Sequence, residues 1–592
     1  MPMRHMTLLI IAFLVLSSNS LLTPSSNRPA TQVNSNFASS NDGIANIQVT
    51  LPLVGPATNW ATGNCVQNAS LRAGLESTIA VDPKNADHLV GTANFIYQWA
   101  GPSFSASIGT IASLDGGRTW KRNLITGLDC TNPNFKSLLG VLNPSIAIDG
   151  SSNLYAGFLA VSAKSRPIYV TQSTDGGLTW TTSNQGKPVF DSGSSTTIGD
   201  RPTVMVDDYP SSPNYGTVYV VWGRLAIKGS AAIGDVMLSK SSDHGDNFSQ
   251  AVLVSPQGNN SISYVNPVPA IGPDGTLYVS FASTSSSLLP AADSKKIVYV
   301  VRSQDGGRTF SAPIEVAETV QHGYVNTQFV SSVYQSIAVN PSNGHLLLAF
   351  QHAARVNSFR VGNITVTLAS KTDILLYEST DGGRTWNKPL TVNDNPADEN
   401  ETAFQPTLAA SPNGLVAVAF YDRRLPCPSS AWIMTNDTGK TNLCIDTALQ
   451  IYNDKSELSA IGNNIRVTQY SWDPMNPGDM GGTEGLRALW FIGDYFGLTL
   501  TNETAYTSFT ANFDLGQNPG QNPQVFVARV ALNQTGIETQ SQTGLSSQTA
   551  SAVEQTSPLM EESGLIIAGI LVVAAAALAT WVGLKRRKRS VK

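Results

Sequence analysis

One octapeptide recurs five times in the chain, and it limits the folds open to this sequence more than any other feature. The copies share the pattern Ser-x-Asp-x-Gly-x-x-Trp/Phe and read SLDGGRTW (113–120), STDGGLTW (173–180), SSDHGDNF (241–248), SQDGGRTF (303–310) and STDGGRTW (379–386). Their aspartates are Asp115, Asp175, Asp243, Asp305 and Asp381, which are separated by 60, 68, 62 and 76 residues. Such regular spacing indicates a tandem array of similar structural units.

The residue types of the octapeptide indicate a structural role. An aspartate accepts backbone hydrogen bonds inside a tight turn, a glycine supplies a positive φ, and an aromatic ring packs between sheets. We therefore interpret each copy as a staple that holds a hairpin, and we expect the five aromatic residues to be largely buried. They are Trp120, Trp180, Phe248, Phe310 and Trp386.

A second pattern, two apolar strands joined by a polar turn, occurs seven times. The copies begin at STIAVDP (77–83), PSIAIDG (144–150), PTVMVDD (202–208), PVPAIGP (267–273), QSIAVNP (335–341), PTLAASP (406–412) and FGLTLTN (496–502). With the strands on either side of the octapeptide, each unit has four strands. The sixth octapeptide has degenerated to IYNDKSEL (451–458). The last unit has only a third strand, 524–532, so we expect residues 44–52 to supply its fourth and close a ring.

These octapeptides are Asp-boxes, or BNR repeats, and residues 44–532 resemble the sialidase-like superfamily. The resemblance implies an all-β propeller of four-stranded blades. The repeat count favours seven blades, while six, the number in sialidases, stays open as an alternative. The resemblance also implies exo-α-sialidase activity, in which three arginines hold a carboxylate, a tyrosine activated by a glutamate is the nucleophile, and an aspartate is the acid. The Phe/Tyr-Arg-Ile-Pro motif of the first arginine is missing from this sequence.

In a propeller of this kind the boxes lie in the turns between the third and fourth strands, so the first strands begin on the opposite face. Aligning the seven units places one polar residue of each at the mouth of the central channel. These residues are Glu76, Asn143, Arg201, Asn266, Tyr334, Gln405 and Tyr495. A channel mouth is polar in any case, so this alignment alone leaves a structural and a functional interpretation open.

The resemblance implies roles for residues near this mouth. Tyr495 is the expected nucleophile with Glu76 or Glu401 as its partner, and Asp200 or Asp494 is the expected acid. The expected carboxylate clamp consists of Arg201, Arg224 and Arg423, because a guanidinium matches a carboxylate in bidentate fashion. Further expected binding residues are Tyr334, Gln405 and Tyr421. An Asp–Arg clamp that holds blade edges together is the alternative interpretation of the YDRR run (421–424).

The two ends of the chain carry export and membrane signals. Residues 1–20 have the order of a signal peptide, and 21–43 form a polar leader before the propeller (44–533). A Ser/Thr/Gln-rich stalk (534–563) precedes 21 residues without a charge (564–584), long enough for a transmembrane helix, and a basic cytoplasmic tail (585–592). We expect a single-pass cell-membrane protein with an extracellular N-terminal ectodomain.

Cysteine and charge usage agree with export. Four cysteines suggest two disulfides, Cys65–Cys130 and Cys427–Cys444, although three connectivities are open. Eight Asn-x-Ser/Thr sequons suggest a glycoprotein. Apart from its two ends the chain has 30 basic and 42 acidic residues, which argues against nucleic-acid binding. We expect no metal or other cofactor. Calcium bound by Asp473, Asp479 and Glu484 in the loop 468–487 is the less favoured alternative to a solvated acidic loop.

Two classes of function follow from these patterns. The first is a sialidase-like glycoside hydrolase that trims terminal acidic sugars from surface glycans. The second is a non-catalytic scaffold or adhesin that binds a glycan or a glycoprotein. Because a fold does not fix a function, the repeats alone do not choose between the two.

Overall fold

The computed structural model of the protein describes residues 44–50, 54–58, 65–98, 104–125, 138–287, 295–320, 322–326, 334–361, 364–476 and 492–532. The chain divides into two compact units, Met1–Ile537 and Glu538–Lys592, and every described residue lies in the first. No helix within these ranges is long and apolar enough to cross a bilayer. The expected signal peptide, polar leader, stalk, transmembrane helix and basic tail lie outside the described residues.

Seven β-sheets form seven blades, so the seven-blade prediction is confirmed and the six-blade alternative is wrong. The first strand, β1 (Asn46–Gln48), belongs to the last blade. Blade 1 has five strands, β2 (Val54–Thr58), β3 (Cys65–Asp82), β4 (Asn85–Gln98), β5 (Phe104–Ser113) and β6 (Lys121–Leu124). Blade 2 contains β7 (Leu138–Ile148), β8 (Leu154–Ser162), β9 (Ile168–Ser173) and β10 (Thr181–Thr182). A 3₁₀ turn at Asn184–Gly186 follows β10.

Blades 3 to 5 continue the same order. Blade 3 contains β11 (Thr197–Val206), β12 (Val218–Lys228), β13 (Ala231–Ser241) and β14 (Val252–Leu253). Blade 4 contains β15 (Ile262–Ile271), β16 (Leu277–Ser285), β17 (Lys295–Ser303) and β18 (Ile314–Val320). Blade 5 contains β19 (Gly323–Tyr324), β20 (Gln335–Val339), β21 (Leu346–Val361), β22 (Ile364–Ser379) and β23 (Leu390–Thr391).

Blades 6 and 7 complete the ring. Blade 6 contains β24 (Ala403–Ala410), β25 (Leu415–Asp422), β26 (Asp446–Asn453) and β27 (Ser459–Arg466). Blade 7 contains β28 (Gly497–Leu500), β29 (Thr504–Ala511) and β30 (Gln524–Ala531), and its fourth strand is β1. Ile47 pairs with Val527 in an antiparallel ladder, and Thr50 Oγ1 donates to Gln524 Oε1 at 2.7 Å. The predicted closure between the two ends of the propeller is therefore confirmed.

The apolar core lies between neighbouring blades. Because the strands of each blade have apolar side chains on both faces, every sheet buries one face against the blade before it and one against the blade after it. Tyr155 of blade 2 and Val204, Val220 and Trp222 of blade 3 share one such cluster, and Trp222 is fully buried. The core is thus a series of layers around the channel, and polar residues occupy its two faces.

The five Asp-boxes form the predicted staples. Ser113 Oγ donates to Asp115 Oδ1 at 2.8 Å, the same oxygen accepts the backbone N–H of Thr119 at 2.9 Å, and Thr119 Oγ1 donates to Asp115 Oδ2 at 2.6 Å. Bonds of the same kind form around Asp175, Asp243, Asp305 and Asp381. These hydrogen bonds favour the carboxylate; the Thr179 hydroxyl and backbone lower the pKa of Asp175 to about 2.

The predicted burial of the box aromatics is correct for Trp180 and only partial for the others. Trp180 is 6% exposed, whereas Trp120, Phe248, Phe310 and Trp386 are half-buried. Each of the four still packs against an inter-blade core cluster. The Trp120 ring folds over its own turn, with Nε1 donating to the carbonyl of Gly117 at 3.1 Å, so one edge of the ring stays at the rim.

One of the two predicted disulfides is confirmed. Cys427 and Cys444 are joined in the loop between β25 and β26, with their Cα atoms 5.3 Å apart. The bridge packs with Ile433 and Leu443 in a small cluster of its own, so it stabilises a loop that contributes little to the main core. Cys130, the expected partner of Cys65, lies outside the described residues.

Candidate functional site

The backbone turns the predicted mouth residues out of their strands. Five of the seven have a left-handed φ between 47° and 56°, and each lies in a bulge where two residues of the first strand face one residue of the second. The five are Glu76, Asn143, Arg201, Asn266 and Gln405. A non-glycine residue in this conformation costs on the order of 1–3 kcal/mol. The same strained bulge thus recurs at the equivalent position of five blades.

The sequence explains where these bulges form. In four of the five, the left-handed residue is followed by a proline, at Pro144, Pro202, Pro267 and Pro406. Proline has no N–H to donate to the ladder, so a bulge at this point loses no strand hydrogen bond. In blade 1, Ser77 takes the place of the proline, and its Oγ donates to the carbonyl of Ser508 at 2.9 Å.

Arg201 connects three blades that are not neighbours. Its Nη2 contacts Asp494 Oδ2 of blade 7 and the hydroxyl of Tyr334 of blade 5, and its Cζ lies 4.3 Å from the centroid of the Tyr334 ring. The side chain of Asp494 is only 3% exposed. Burial opposes the charge of Arg201, yet the charge of Asp494 holds the pKa of the guanidinium well above its usual value. The pair therefore carries two opposite charges across the channel mouth.

Glu76 is a neutral acid beside this pair. Its Oε2 accepts hydrogen bonds from Asn94 Nδ2 and, at 3.2 Å, from Asn143 Nδ2, while its Oε1 has no partner in the described part of the chain. Burial, together with the charge of Asp494, raises the pKa of Glu76 to about 8. Since two amide donors occupy Oε2, we assign the proton of the neutral acid to Oε1. Glu76 thus presents a proton donor at neutral pH.

Asp200 and Lys296 complete the charged groups around Arg201. Burial raises the pKa of Asp200 to about 6, although the charge of Arg201 counteracts the shift. Burial and the charge of Arg201 lower the pKa of Lys296 to about 7, and its Nζ lies 5.9 Å from the centroid of the Tyr334 ring. The site therefore contains one ammonium group that changes its charge near neutral pH.

Tyr495 lies in this group without the features of an activated nucleophile. Its hydroxyl donates to the carbonyl oxygen of Pro144 at 3.0 Å, and a carbonyl cannot remove the phenolic proton. Burial, and then the neighbouring carboxyl of Glu76, raise the pKa of Tyr495 well above its usual value. The expected tyrosine and glutamate are thus brought together, but in protonation states that do not suit nucleophilic attack by the phenol.

The other two arginines of the expected clamp have partners of their own. Arg224 Nη2 lies 2.6 Å from Asp235 Oδ2 on the neighbouring strand. The guanidinium of Arg423 is fully buried and donates to the backbone carbonyls of Leu443, Asn442 and Val325. Burial lowers the pKa of Arg423 to about 9. The described residues therefore do not assemble a three-arginine clamp, because two of its three members stabilise strands and loops.

The structural interpretation of the YDRR run fits what is observed. Arg424 pairs with Asp422 at 2.8 Å and with Asp394, which precedes blade 6, at 2.5 Å. The hydroxyl of Tyr421 accepts the backbone N–H of Thr510 at 3.1 Å, and its ring lies 4.6 Å from that of Phe496. These contacts join blade 6 to its neighbours. They leave Tyr421 in the core instead of at the mouth.

Gln405 lies at the mouth as predicted, whereas Glu401 lies elsewhere. Gln405 Nε2 donates to the carbonyl of Gly493 at 2.7 Å, next to Asp494. Glu401 instead accepts a hydrogen bond from Asn395 Nδ2 at 2.6 Å, and burial raises its pKa to about 8. Of the two expected partners for Tyr495, only Glu76 is in place.

Comparison with known proteins agrees with this architecture. Residues 216–460 match the BNR repeat-like domain family. The chain forms a seven-bladed β-propeller, and residues 216–460 of it resemble the BNR repeat-like domain. No curated protein matches the chain.

Solved structures similar to this chain include three enzymes. A leech intramolecular trans-sialidase is 12% identical over 59% of this chain and 65% of its own, with a TM-score of 0.39. A sialidase of Trypanosoma rangeli is 14% identical over 82% of this chain and 59% of its own (TM-score 0.38). An α-L-arabinofuranosidase of Fusarium graminearum is 14% identical over 71% of this chain and 99% of its own, with a TM-score of 0.37. The chain thus spans less than two thirds of both sialidases, and these scores carry no argument about substrate.

One cluster on the opposite, box-bearing face of the propeller has the residue types of a metal site. His345, Glu378 and Asp454 place their ligand atoms within 4.8 Å of one another, the one such group among the described residues. His345 Nδ1 lies 3.1 Å from Glu378 Oε1 and 2.9 Å from Asp454 Oδ1, so one ring nitrogen is within hydrogen-bond distance of both carboxyl groups. Of the loop considered for calcium, Asp473 is described. Its two oxygens accept backbone N–H groups of Met434 and Met475.

Sequence reasoning missed two residues of the site, Lys296 and Asn94. Both lie inside strands, Lys296 near the start of β17 and Asn94 in β4, where the alignment of first strands does not reach. A polar residue inside an otherwise apolar strand, as in TANFI (92–96), is the signal that could have identified Asn94.

Proposed function

We propose that this BNR propeller is a membrane-anchored extracellular glycoside hydrolase that removes terminal sugars from surface glycans. The observation that carries the proposal is the pair formed by Glu76 and Asp494. One is held as a neutral acid and the other is ion-paired with Arg201 as a carboxylate. Most glycoside hydrolases cleave a glycosidic bond with two carboxyl groups, one of which is protonated while the other is ionised.

In the proposed reaction, Glu76 transfers its Oε1 proton to the glycosidic oxygen. The carbon–oxygen bond breaks, its electron pair stays on that oxygen, and the leaving alcohol departs. The carboxylate of Asp494 stabilises the positive charge that develops on the sugar ring through Oδ1, because Oδ2 is held by Arg201. Water then completes the hydrolysis and returns a proton to Glu76.

Arg201 acts here as a positioning residue. Its Nη2 fixes one oxygen of Asp494, and the ring of Tyr334 supports the guanidinium from the side. The strained conformation of Arg201, with φ of 47°, aims the side chain across the channel. This geometry supports a carboxylate held in one orientation, which electrostatic stabilisation of a transition state requires.

The location of the protein is part of the same proposal. The signal-peptide pattern, the apolar segment 564–584 and the basic tail support export with a single C-terminal anchor. Five sequon asparagines in the described residues have exposed side chains, as glycosylation requires, namely Asn247, Asn259, Asn400, Asn436 and Asn502. A glycan or glycoprotein on a cell surface is the proposed substrate, and no cofactor is part of the proposed chemistry.

Hydrolysis of fluorogenic 4-methylumbelliferyl glycosides by the full-length protein tests the proposal. We expect release of the fluorophore from at least one glycoside of a panel that includes a sialoside. Asp494→Asn should lower kcat on that glycoside about 10²- to 10³-fold, and Glu76→Gln should lower it less, because the acidic phenol of the fluorophore leaves with little protonation. Glu378→Gln and Asp82→Asn are matched controls, since both replace buried, paired carboxyl groups on the box face. Equal losses in the controls would contradict a site at the mouth.

A second candidate is a non-catalytic glycan-binding scaffold. The contacts of Arg201 with Asp494 and Tyr334 support this candidate, because they join three blades and would serve to stabilise the ring without any catalysis. In that case glycans would bind to the wild type and to Glu76→Gln with equal affinity. No glycoside of the panel would then be hydrolysed.

A further inference from the structure

Three amide side chains at the channel mouth, those of Asn94, Asn143 and Gln405, use an N–H group in a hydrogen bond to a neighbouring protein atom. Asn94 Nδ2 and Asn143 Nδ2 both donate to Glu76, and Gln405 Nε2 donates to the carbonyl of Gly493. Their carbonyl oxygens have no hydrogen-bond partner in the described part of the chain, although each of the three residues is only 2% exposed. An acceptor buried without a partner is costly.

Two carboxylate oxygens extend this set of acceptors. Asp494 Oδ1 and Asp200 Oδ1 are also buried and without a partner among the described residues. Five unpaired oxygens, of Asn94, Asn143, Asp200, Gln405 and Asp494, thus belong to residues close to Glu76. A group that pairs with them through hydrogen bonds has to bring donors.

The mouth carboxylates are not part of a group of three or more His, Cys, Asp or Glu residues with ligand atoms within 4.8 Å of one another; in the described residues His345, Glu378 and Asp454 on the other face are the one such group. We therefore favour a hydrogen-bond donor over a divalent cation at the mouth. An anionic group fits poorly as well. It would bring further acceptors to a set of acceptors, beside Asp494 and Asp200.

The two cations of the mouth, Arg201 and Lys296, do not make it a better site for an anionic group. Arg201 is engaged with Asp494 and Tyr334, and burial lowers the pKa of Lys296 to about 7, so its positive charge is partial at neutral pH. A carboxylate that bound to Lys296 would lie close to the carboxylate that Arg201 holds. Hydroxyl groups face no such conflict, because each can donate to one of the unpaired oxygens.

We propose that the mouth selects an uncharged sugar ring, whose hydroxyl groups donate to the side-chain oxygens of Asn94, Asn143 and Gln405, and that Asp200 and Asp494 exclude the carboxylate of an acidic sugar. This inference rests on the proposed function for the location of the site. It names the substrate class, and it differs from the acidic sugar that the sialidase resemblance implies.

Binding to full-length Glu76→Gln tests the substrate class separately from hydrolysis. The probes are pairs of 4-methylumbelliferyl glycosides that differ only at C6, glucoside against glucuronide and galactoside against galacturonide, together with the sialoside. We expect the neutral member of at least one pair to bind about tenfold or more tightly than its acidic partner. Equal binding, tighter binding of the acidic member or of the sialoside, or no binding of any probe would overturn the inference. A neutral glycoside that binds but is not hydrolysed by the wild type would contradict the proposed hydrolysis alone.

Asp200→Asn tests the exclusion of the carboxylate. The change removes one negative charge at nearly constant shape, so the preference for the neutral member should fall several-fold. Asp149→Asn, in a turn on the box face, is the matched control and should leave the preference unchanged. Thermal unfolding shows whether each variant is folded. An unchanged preference in folded Asp200→Asn would show that charge exclusion is not the mechanism.

Discussion

Arg201 of blade 3 forms a buried ion pair with Asp494 of blade 7 across the channel mouth, and the same nitrogen contacts Tyr334 of blade 5. Most contacts in a propeller join neighbouring blades, as in the inter-blade core clusters. This group instead joins blades on different sides of the channel. It therefore couples the stability of the ring to the geometry of the proposed active site.

The first prediction concerns this coupling. Arg201→Met leaves the buried carboxylate of Asp494 without its partner and should lower the free energy of unfolding by about 3–5 kcal/mol. Asp494→Leu should be costly for the same reason. The double variant should cost clearly less than the sum of the two, because it buries no unpaired charge. Denaturant unfolding of the four proteins measures this, and additive effects would contradict a direct pair.

The second prediction is an alkaline limit to activity. Glu76 donates a proton in the proposed reaction, and burial together with the charge of Asp494 raises its pKa to about 8. As far as Glu76 is concerned, kcat/KM should therefore be constant below pH 7 and should fall as the pH rises through about 8. A pH profile measures this limb. Glu378→Gln should keep it, and a profile that keeps rising above pH 9 would rule out Glu76 as the acid.

A third prediction concerns how much the buried and the half-buried aromatic residues of the boxes contribute to stability. Trp180→Ala should cost roughly 3–5 kcal/mol of stability, since a large and fully buried ring leaves a cavity. The same change at half-buried Phe310 should cost less. Thermal unfolding of both variants checks the order, and a larger loss at Phe310 would show that exposure does not govern the contribution of these rings.

The fold could be predicted from the sequence because its signals are local and repeated. The octapeptide 173–180 contains both partners of most of its hydrogen bonds, so its local sequence specifies the turn. Ring closure by β1 followed from the missing fourth strand of blade 7. The mouth residues Glu76, Arg201 and Gln405 were found for the same reason, since each has an equivalent position in its repeat.

The chemical roles could not be predicted in the same way, because they depend on which side chains meet across the channel. Arg423 and Arg201 both follow the repeat pattern, yet Arg423 is bound to backbone carbonyls and Arg201 to Asp494. Nothing local in the sequence distinguishes the two. The protonation of Glu76 likewise results from its burial and from Asp494, which is more than 400 residues away along the chain.

A fourth prediction concerns the anchor, which lies outside the described residues. Deleting residues 564–592 should release a secreted protein into the medium, because this segment is the proposed membrane span. Fractionation of expressing cells, with a high-salt wash of the membranes, measures the release. Retention of the shortened protein after the wash would contradict a single C-terminal anchor.

The most direct test of the central claim compares two leaving groups in Glu76→Gln. A dinitrophenyl glycoside needs no proton to depart, whereas a methyl glycoside of the same sugar does. If Glu76 is the proton donor, the variant should lose about 10²- to 10⁴-fold of kcat/KM on the methyl glycoside and far less on the dinitrophenyl glycoside. Equal losses on both substrates, or no loss on either, would show that Glu76 does not donate the proton and that the channel mouth does not work as proposed.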